Sequence, residues 1–414
     1  MRKTFPCGLL AIAVAASLVP AQEKSSVGGW SSKPGSGLKY DGGDAFGLTW
    51  TNRIQIHWTY ANNEDAPDTN TFNVRRARTS LNGNVFSKNI LYGFVWDAVD
   101  QGATGDGNIK QGWGQWNFSS SDTGKIGLKV GQAKTMYGME ATNTSAGLWF
   151  VERSAASRTF ADTFSRGAWL NGLMAENKLR WTAGAMNTDV AAGLGAGYTD
   201  RGEETANSDN ELSYVLSASF DPIGDFHDGR QTVESRRQGD WRTDDQSFKG
   251  TVGFGVALGN GKSGAGQDIE STSLNVNTAW SVNGIQLMAE YFMRTDDLQA
   301  AAADEEEPQG WTLSGGYLLK KSGDSAMQWG LGLRVTMVET DEGATGSGVD
   351  FVTGAPGIAG VDGECMEISA VLNAFYHGHS CKTQIEYTLQ DVDPSGAAAS
   401  ATNNILRIAF QIEF

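Results

Sequence analysis

Along most of the chain apolar and polar residues alternate with a period of two, the spacing of a β-strand that turns one apolar face outward from its polar face. In residues 48–60 the apolar positions are Leu48, Trp50, Ile54, Ile56, Trp58 and Tyr60, and Thr49, Thr51, Arg53, Gln55, His57 and Thr59 fall between them. The same rhythm returns in 71–86, 89–100, 109–118, 124–134, 167–175, 178–187, 211–220 and 248–258. It continues through 270–281, 284–295, 310–319, 326–338, 366–376, 381–391 and 403–414, which makes sixteen predicted strands with the first.

The links between these runs alternate as well. Those at 87–88, 119–123, 176–177, 282–284, 320–325 and 377–380 are tight turns, whereas 61–70, 101–108, 135–166, 188–210, 259–269, 296–309, 339–365 and 392–402 are longer and polar. An even number of strands, with short turns at one rim and long loops at the other, predicts an all-β transmembrane antiparallel barrel of about sixteen strands. The 221–247 link breaks the pattern, being long at the short-turn rim; it reads either as a periplasmic helix or as a miscounted strand.

The polar face decides between a soluble and a membrane barrel. A soluble barrel fills its interior with apolar side chains, but here one face carries Thr, Ser, Asn, Gln, Gly and charges. That face requires water, so the apolar face meets lipid, and the sheet has to close because unpaired backbone groups are costly in hydrocarbon. Trp50, Trp58, Trp96, Trp280, Trp311, Trp329, Tyr60 and Tyr291 lie near the ends of runs on the apolar face, where interfacial girdles belong. Leu406, Ile408, Phe410, Ile412 and Phe414 alternate with polar neighbours to the last residue, a pattern suited to the machinery that inserts outer-membrane barrels.

Composition agrees. The chain holds 53 Gly, above the usual share of about 7%, and 13 Trp with a mean hydropathy of −0.34. No internal run approaches the roughly 18 apolar residues of a membrane helix. Arg2 and Lys3, an apolar stretch from Cys7 to Val19 and Val19-Pro20-Ala21 read as an export signal over 1–21, followed by a flexible lead-in over 22–45 and the barrel over 46–414. Two cysteines then remain; with a turn at 377–380, Cys381 should oppose Tyr376 rather than Cys365, so a disulfide between them would need a loop rearrangement. The formal charge of −16, or −18 without Arg2 and Lys3, argues against a nucleic-acid partner.

Extending the alternation assigns charges to the interior. Arg53, Arg76, Arg78, Lys125, Lys129, Arg180, Lys249, Arg294, Arg334, Lys382 and Arg407 face inward, against Asp97, Glu290, Glu367, Glu386 and Glu413. A basic lumen inside an acidic chain favours small anions, because charged rings set pore selectivity and low-dielectric walls focus the field. The long 135–166 link is expected to fold inward as a constriction, with Trp149, Phe150, Phe160 and Phe164 packed on the wall and Lys134, Arg153 and Arg158 as candidate solute contacts. An alternative is that each inner cation merely pairs with a carboxylate such as Asp97 or Glu290.

Residues 72–97 and 130–154 carry a resemblance. Arg75-Arg76-Ala77-Arg78, Val130-Gly131-Gln132 with Lys134, Gly138-Met139-Glu140 and Glu152-Arg153-Ser154 resemble the phosphate-selective porin O and P family, although Met136-Tyr137-Gly138 stands where that family often has Pro-Phe-Gly. The resemblance implies a trimeric sixteen-stranded channel in the outer membrane of a Gram-negative-type bacterium, with an inward third loop and a basic pore for anions such as phosphate. No cofactor is expected. A structural or receptor-type barrel with little conductance stays open as the alternative. An enzyme would need a nucleophile beside a base, and His57, His227, His377 and His379 stand beside no recognisable nucleophile motif.

Overall fold

The computed structural model describes residues 28–33, 35–64, 67–99, 108–121, 123–161, 164–187, 212–227, 237–262, 268–298, 307–321, 327–339, 363–394 and 400–414. The export signal expected over 1–21 lies outside them, as do the tips of several long links. Among the described residues eighteen strands appear in chain order: β1 (Gly29–Lys33), β2 (Gly37–Asp41), β3 (Phe46–Asn62), β4 (Thr69–Val85), β5 (Ser87–Asp97), β6 (Asn108–Ser121), β7 (Gly124–Lys134), β8 (Phe164–Met174) and β9 (Leu179–Asn187). The remainder are β10 (Ser213–Ile223), β11 (Lys249–Lys262), β12 (Asp268–Val282), β13 (Ile285–Leu298), β14 (Gln309–Leu318), β15 (Gln328–Glu339), β16 (Gly363–His377), β17 (Cys381–Pro394) and β18 (Ala401–Glu413).

β3 to β18 are the sixteen strands of the alternating pattern, each antiparallel to its neighbours. β18 returns to β3 in a register running from Asn404 opposite Asn62 to Glu413 opposite Arg53, which closes the barrel. The faces are divided as a lipid-facing barrel requires. Leu333 is 67% exposed while its neighbour Arg334 is 3% exposed, and Val276 is 56% exposed beside Asn275 at 1%. Exposed apolar side chains on an outer wall and buried charges on an inner one invert the soluble arrangement and suit a barrel solvated by lipid.

Three details differ from the pattern. The Gly- and Ser-rich residues 29–41, expected as a lead-in, form the β1–β2 hairpin, and β2 pairs with β3 from Leu38 opposite Trp50 to Asp41 opposite Gly47. The long link on the short-turn rim spans 224–248, and its described residues are turns and irregular backbone rather than helix, with the count of sixteen barrel strands intact. Cys381 lies opposite His377, one position from Tyr376, because the β16–β17 register shifts between Phe375 and His377. Cys365 and Cys381 are both free thiols.

Candidate functional site

Between β7 and β8 the chain leaves the sheet, and residues 135–161 of this link are described. Here it forms two short helices, α1 (Met139–Thr142) and α2 (Ala155–Phe160), with a 3-10 turn over Ser145–Gly147 between them. A segment this irregular exposes unpaired backbone groups, and a buried one has to find partners for them. It finds them on side chains from the inner face of the wall.

α1 is fastened at both ends. Glu290 of β13 accepts the N–H groups of Met139 and Glu140 at the positive helix start, the second at 3.2 Å. At the negative end, Lys134 Nζ donates to the carbonyls of Ala141, Thr142 and Asn143 at 3.1, 2.7 and 2.7 Å, and Arg153 donates to those of Glu140, Ala141 and Asn143. Lys134 and Arg153, expected as solute contacts, thus hold the segment in shape. Glu140 in turn accepts from the backbone N–H and hydroxyl of Ser154, the N-cap of α2.

Beyond α1 the wall supplies a fastener at nearly every turn. Lys382 Nζ donates to the Leu148 carbonyl at 2.7 Å, and the Trp149 carbonyl accepts from Asn373 and Gln384 at 3.1 and 2.8 Å. Glu386 accepts the Val151 N–H at 2.8 Å while pairing with Arg407 at 3.2 Å. Arg334 donates to the Glu152 carbonyl at 2.9 Å, and Arg158 pairs with Glu367 at 3.1 Å. The Trp149 ring sits in a slot at Gly316, Gly330 and Gly332, where a Cβ would overlap it. Phe160 stacks on Phe292 with centroids 5.6 Å apart. Trp149, Phe150, Phe160 and Phe164 are all buried.

On the opposite side the fastening is ionic. Glu152 pairs with Arg75 at 2.6 Å and Arg76 at 3.1 Å, with His57 at 3.9 Å. Burial by itself would raise the Glu152 carboxyl, but the two guanidiniums hold it well below the usual carboxylate range. Arg75 reaches Glu152 because the β3–β4 register shifts between Gln55 and Ile56. A strict two-residue rhythm turns Arg75 outward, so the alternation missed it; Glu152, lying off the sheet, has no periodicity to reveal it.

Some of these side chains, with others, enclose a cavity of about 720 Å³ between the inner wall of β3–β7 and the buried segment. Arg53, Arg76, Arg78, Lys129, Lys134 and Arg153 line it together with Lys39 and Arg237, and Glu413 is the carboxylate among the lining residues. Arg53 and Arg78 both donate to the Ser145 hydroxyl, at 3.0 and 3.3 Å, and Arg78 also pairs with Asp97 at 2.6 Å. Arg180 is elsewhere: it pairs with Asp221 at 3.1 Å beside a smaller opening of about 60 Å³ against β9–β12. Lys125 lies at the short-turn end of β7, outside the large cavity, and Asp97, Arg158 and Glu290 are held in the contacts already given. Lys39 and Arg237 lie outside the alternating runs, on the hairpin and on the 224–248 link, so periodicity gave no sign of them.

The family model for phosphate-selective porin O and P matches residues 49–323. The fold is similar to the outer membrane channel DcaP of Acinetobacter baumannii, at 12% identity and a TM-score of 0.59 over 92% of this chain and 100% of that one. It is also similar to an anion-selective porin from Comamonas acidovorans, at 11% identity and a TM-score of 0.55 over 89% of this chain and 100% of that one. A trimer form of OmpT of Vibrio cholerae aligns at 12% identity and a TM-score of 0.50, over 89% and 100%. A search of curated protein sequences finds no match.

Proposed function

The chain belongs to the phosphate-selective porin O and P family, and from that premise we propose that this outer-membrane porin passes small anions, phosphate among them, through the basic cavity beside residues 135–161. The observation that carries the reading is the composition of that cavity: among the described lining residues eight are basic and Glu413 is the carboxylate. Arginine and lysine rings favour anions in a pore, and the planar donors of Arg suit phosphate and carboxylate oxygens. In this reading residues 135–161 fold into the barrel and narrow it. The lumenal charges divide between two duties: Glu290, Lys134, Arg153, Arg158 and Glu367 hold the loop, and Arg53, Arg76, Arg78 and Lys129 present the passage with positive potential.

The homotrimer belongs to the same proposal, supported by the trimer form of the OmpT relative in fold, as do export to the periplasm and delivery by the outer-membrane insertion machinery. The test is recording in planar bilayers. In a potassium chloride gradient the reversal potential should have the sign of anion preference, and Arg76→Glu with Arg78→Glu should move it toward cations. Phosphate titrated into chloride should reduce single-channel current. A cation-selective wild type overturns the proposal. Absence of conductance favours a scaffold or receptor barrel, with the buried segment acting as a plug.

A further inference from the structure

In β5 the alternation fails across several residues. Ile90, Tyr92, Phe94 and Trp96 share its outer face, yet Leu91 and Val95 on the inner face are apolar too. The register places Gly93, between them, opposite Trp113 of β6. A Cβ on Gly93 would overlap the Trp113 ring, so the indole lies across β5 at this position, flanked by Leu91 and Val95. The Trp113 Nε1–H donates to Gln111 Oε1 at 3.1 Å, which fixes the ring.

All three side chains are half-buried and line the 720 Å³ cavity. Other inward aromatic rings are covered: Phe292 and Phe375 are 0% and 1% exposed and lie against the rings of Tyr137 and Trp149. The strip at Leu91, Val95 and Trp113 borders the cavity instead, although Trp113 also packs against the buried cluster of the wall. Cations adjoin the strip. Lys129 Nζ stands over the Trp113 ring, 4.4 Å from its centroid, and Arg78 of β4, in register opposite Asp97 and Arg53, lies beyond Val95. An inorganic anion gains nothing from apolar surface, since the benefit of burial scales with apolar area.

Resting on the anion-channel reading of the same cavity, we infer that the preferred solutes are amphipathic organic anions of the aromatic monocarboxylate class. The ring lies on Leu91 and Val95 beside the indole, and the carboxylate meets Arg78 or Lys129. Apolar contact on the strip raises affinity, and the neighbouring cations orient the charged end.

The test is current block by added carboxylates in single-channel recordings of the full chain in chloride. Benzoate should block at about tenfold lower concentration than acetate, the ratio expected when some tens of Å² of apolar surface are covered. Leu91→Ser with Val95→Ser, and separately Trp113→Gln, should bring the benzoate-to-acetate ratio toward one; a ratio taken within each variant is insensitive to changes in its conductance. Equal block by benzoate and acetate in the wild type, or a ratio that survives these substitutions, overturns the inference while leaving an anion channel standing. Cation preference in the salt gradient is a different failure, and removes the reading on which the inference rests. The wild-type comparison of acetate, butyrate and benzoate stands even where a variant does not fold.

Discussion

The Trp149 backbone N–H donates to the side-chain oxygen of Gln238 at 2.7 Å, and the Gln238 N–H donates to the Gly147 carbonyl, also at 2.7 Å. The two residues come from different links: Trp149 from the one between β7 and β8, Gln238 from the one that joins β10 to β11. The 224–248 link therefore straps the buried segment at residues 147–149. Arg237, next to Gln238, donates to Ser380 at 2.9 Å, pairs with Glu413 and lines the cavity.

The first prediction follows from that grip. Gln238→Ala leaves the buried Trp149 N–H without its acceptor, at a cost of about 1–3 kcal/mol. Gly239 has φ of 99° and lies under the Trp149 ring, so Gly239→Val adds a clash and backbone strain. Both variants should form barrels that resist heat in detergent nearly as well as the wild type, because the wall is untouched. Single-channel recordings should nevertheless show more open-state noise and new subconductance levels. Recordings as quiet as those of the wild type would show that the strap does not hold the segment.

The second prediction concerns acid. The Gln238 carbonyl is bonded to Nε2 of His379 at 2.6 Å, in the β16–β17 turn. Burial, then the nearby Lys382, then Arg237 push the His379 imidazole well below its ordinary 6.5, against the bond to Gln238, while the rings of Trp241 and Phe375 close around it. With the folded pKa lowered, the contribution of this turn to stability is complete above about pH 6.5 and is lost as pH falls from there toward the folded value. Lowering the pH on the short-turn side from 7 to 5 should increase channel noise, as Gln238→Ala does at neutral pH. His379→Gln should make the noise independent of pH over that range.

Much of this protein is legible from one periodicity, and its limits have a physical cause. Ile126, Leu128 and Val130 against Lys125 and Lys129 delimit β7 to the residue, because a half-lipid, half-water environment imposes the same parity on each strand. Parity assigns a side, however, and not a partner. Glu290 and Arg334 face inward as the rhythm requires, but their use as fasteners for α1 and for Glu152 depends on an irregular segment with no period. The bulge that brings in Arg75 and the strap that carries Gln238 escape for the same reason. The hairpin at 29–41 was hidden by its Gly and Ser residues, which suit a turn and a sheet edge as readily as a flexible lead-in.

The third prediction uses the ion cluster at Glu152. Glu152→Gln removes a negative partner of Arg75 and Arg76 and leaves more positive charge beside the passage, which Arg76 lines. Breaking a buried pair from one side costs about 3–5 kcal/mol, so the segment should loosen at this end as well. In bilayers the reversal potential should shift further toward anions, and trypsin should cut the variant within residues 135–163 faster than the wild type. An unchanged reversal potential would mean that Glu152 does not offset these arginines in the field of the pore.

The fourth prediction concerns the closure of the barrel. β18 accompanies β3 as far as Asn52, whose N–H and carbonyl bond to Phe414 at 2.7 and 2.9 Å. Below that point the edge of β3 from Gly47 to Trp50 is paired with β2 instead. The outer surface continues across this handover: Tyr40 packs on Phe46 with centroids 5.9 Å apart and on Trp30 at 5.1 Å. Deleting residues 29–41 should therefore leave the long β18–β3 pairing intact but expose a short run of backbone groups and aromatic surface at the rim. Unpaired backbone near hydrocarbon is costly, and several such groups should lower the midpoint of heat denaturation in detergent by about 5–10 °C. Ion selectivity should stay close to that of the wild type except for the loss of Lys39. A deletion as heat-resistant as the full chain would mean that the hairpin rests on the wall without completing it.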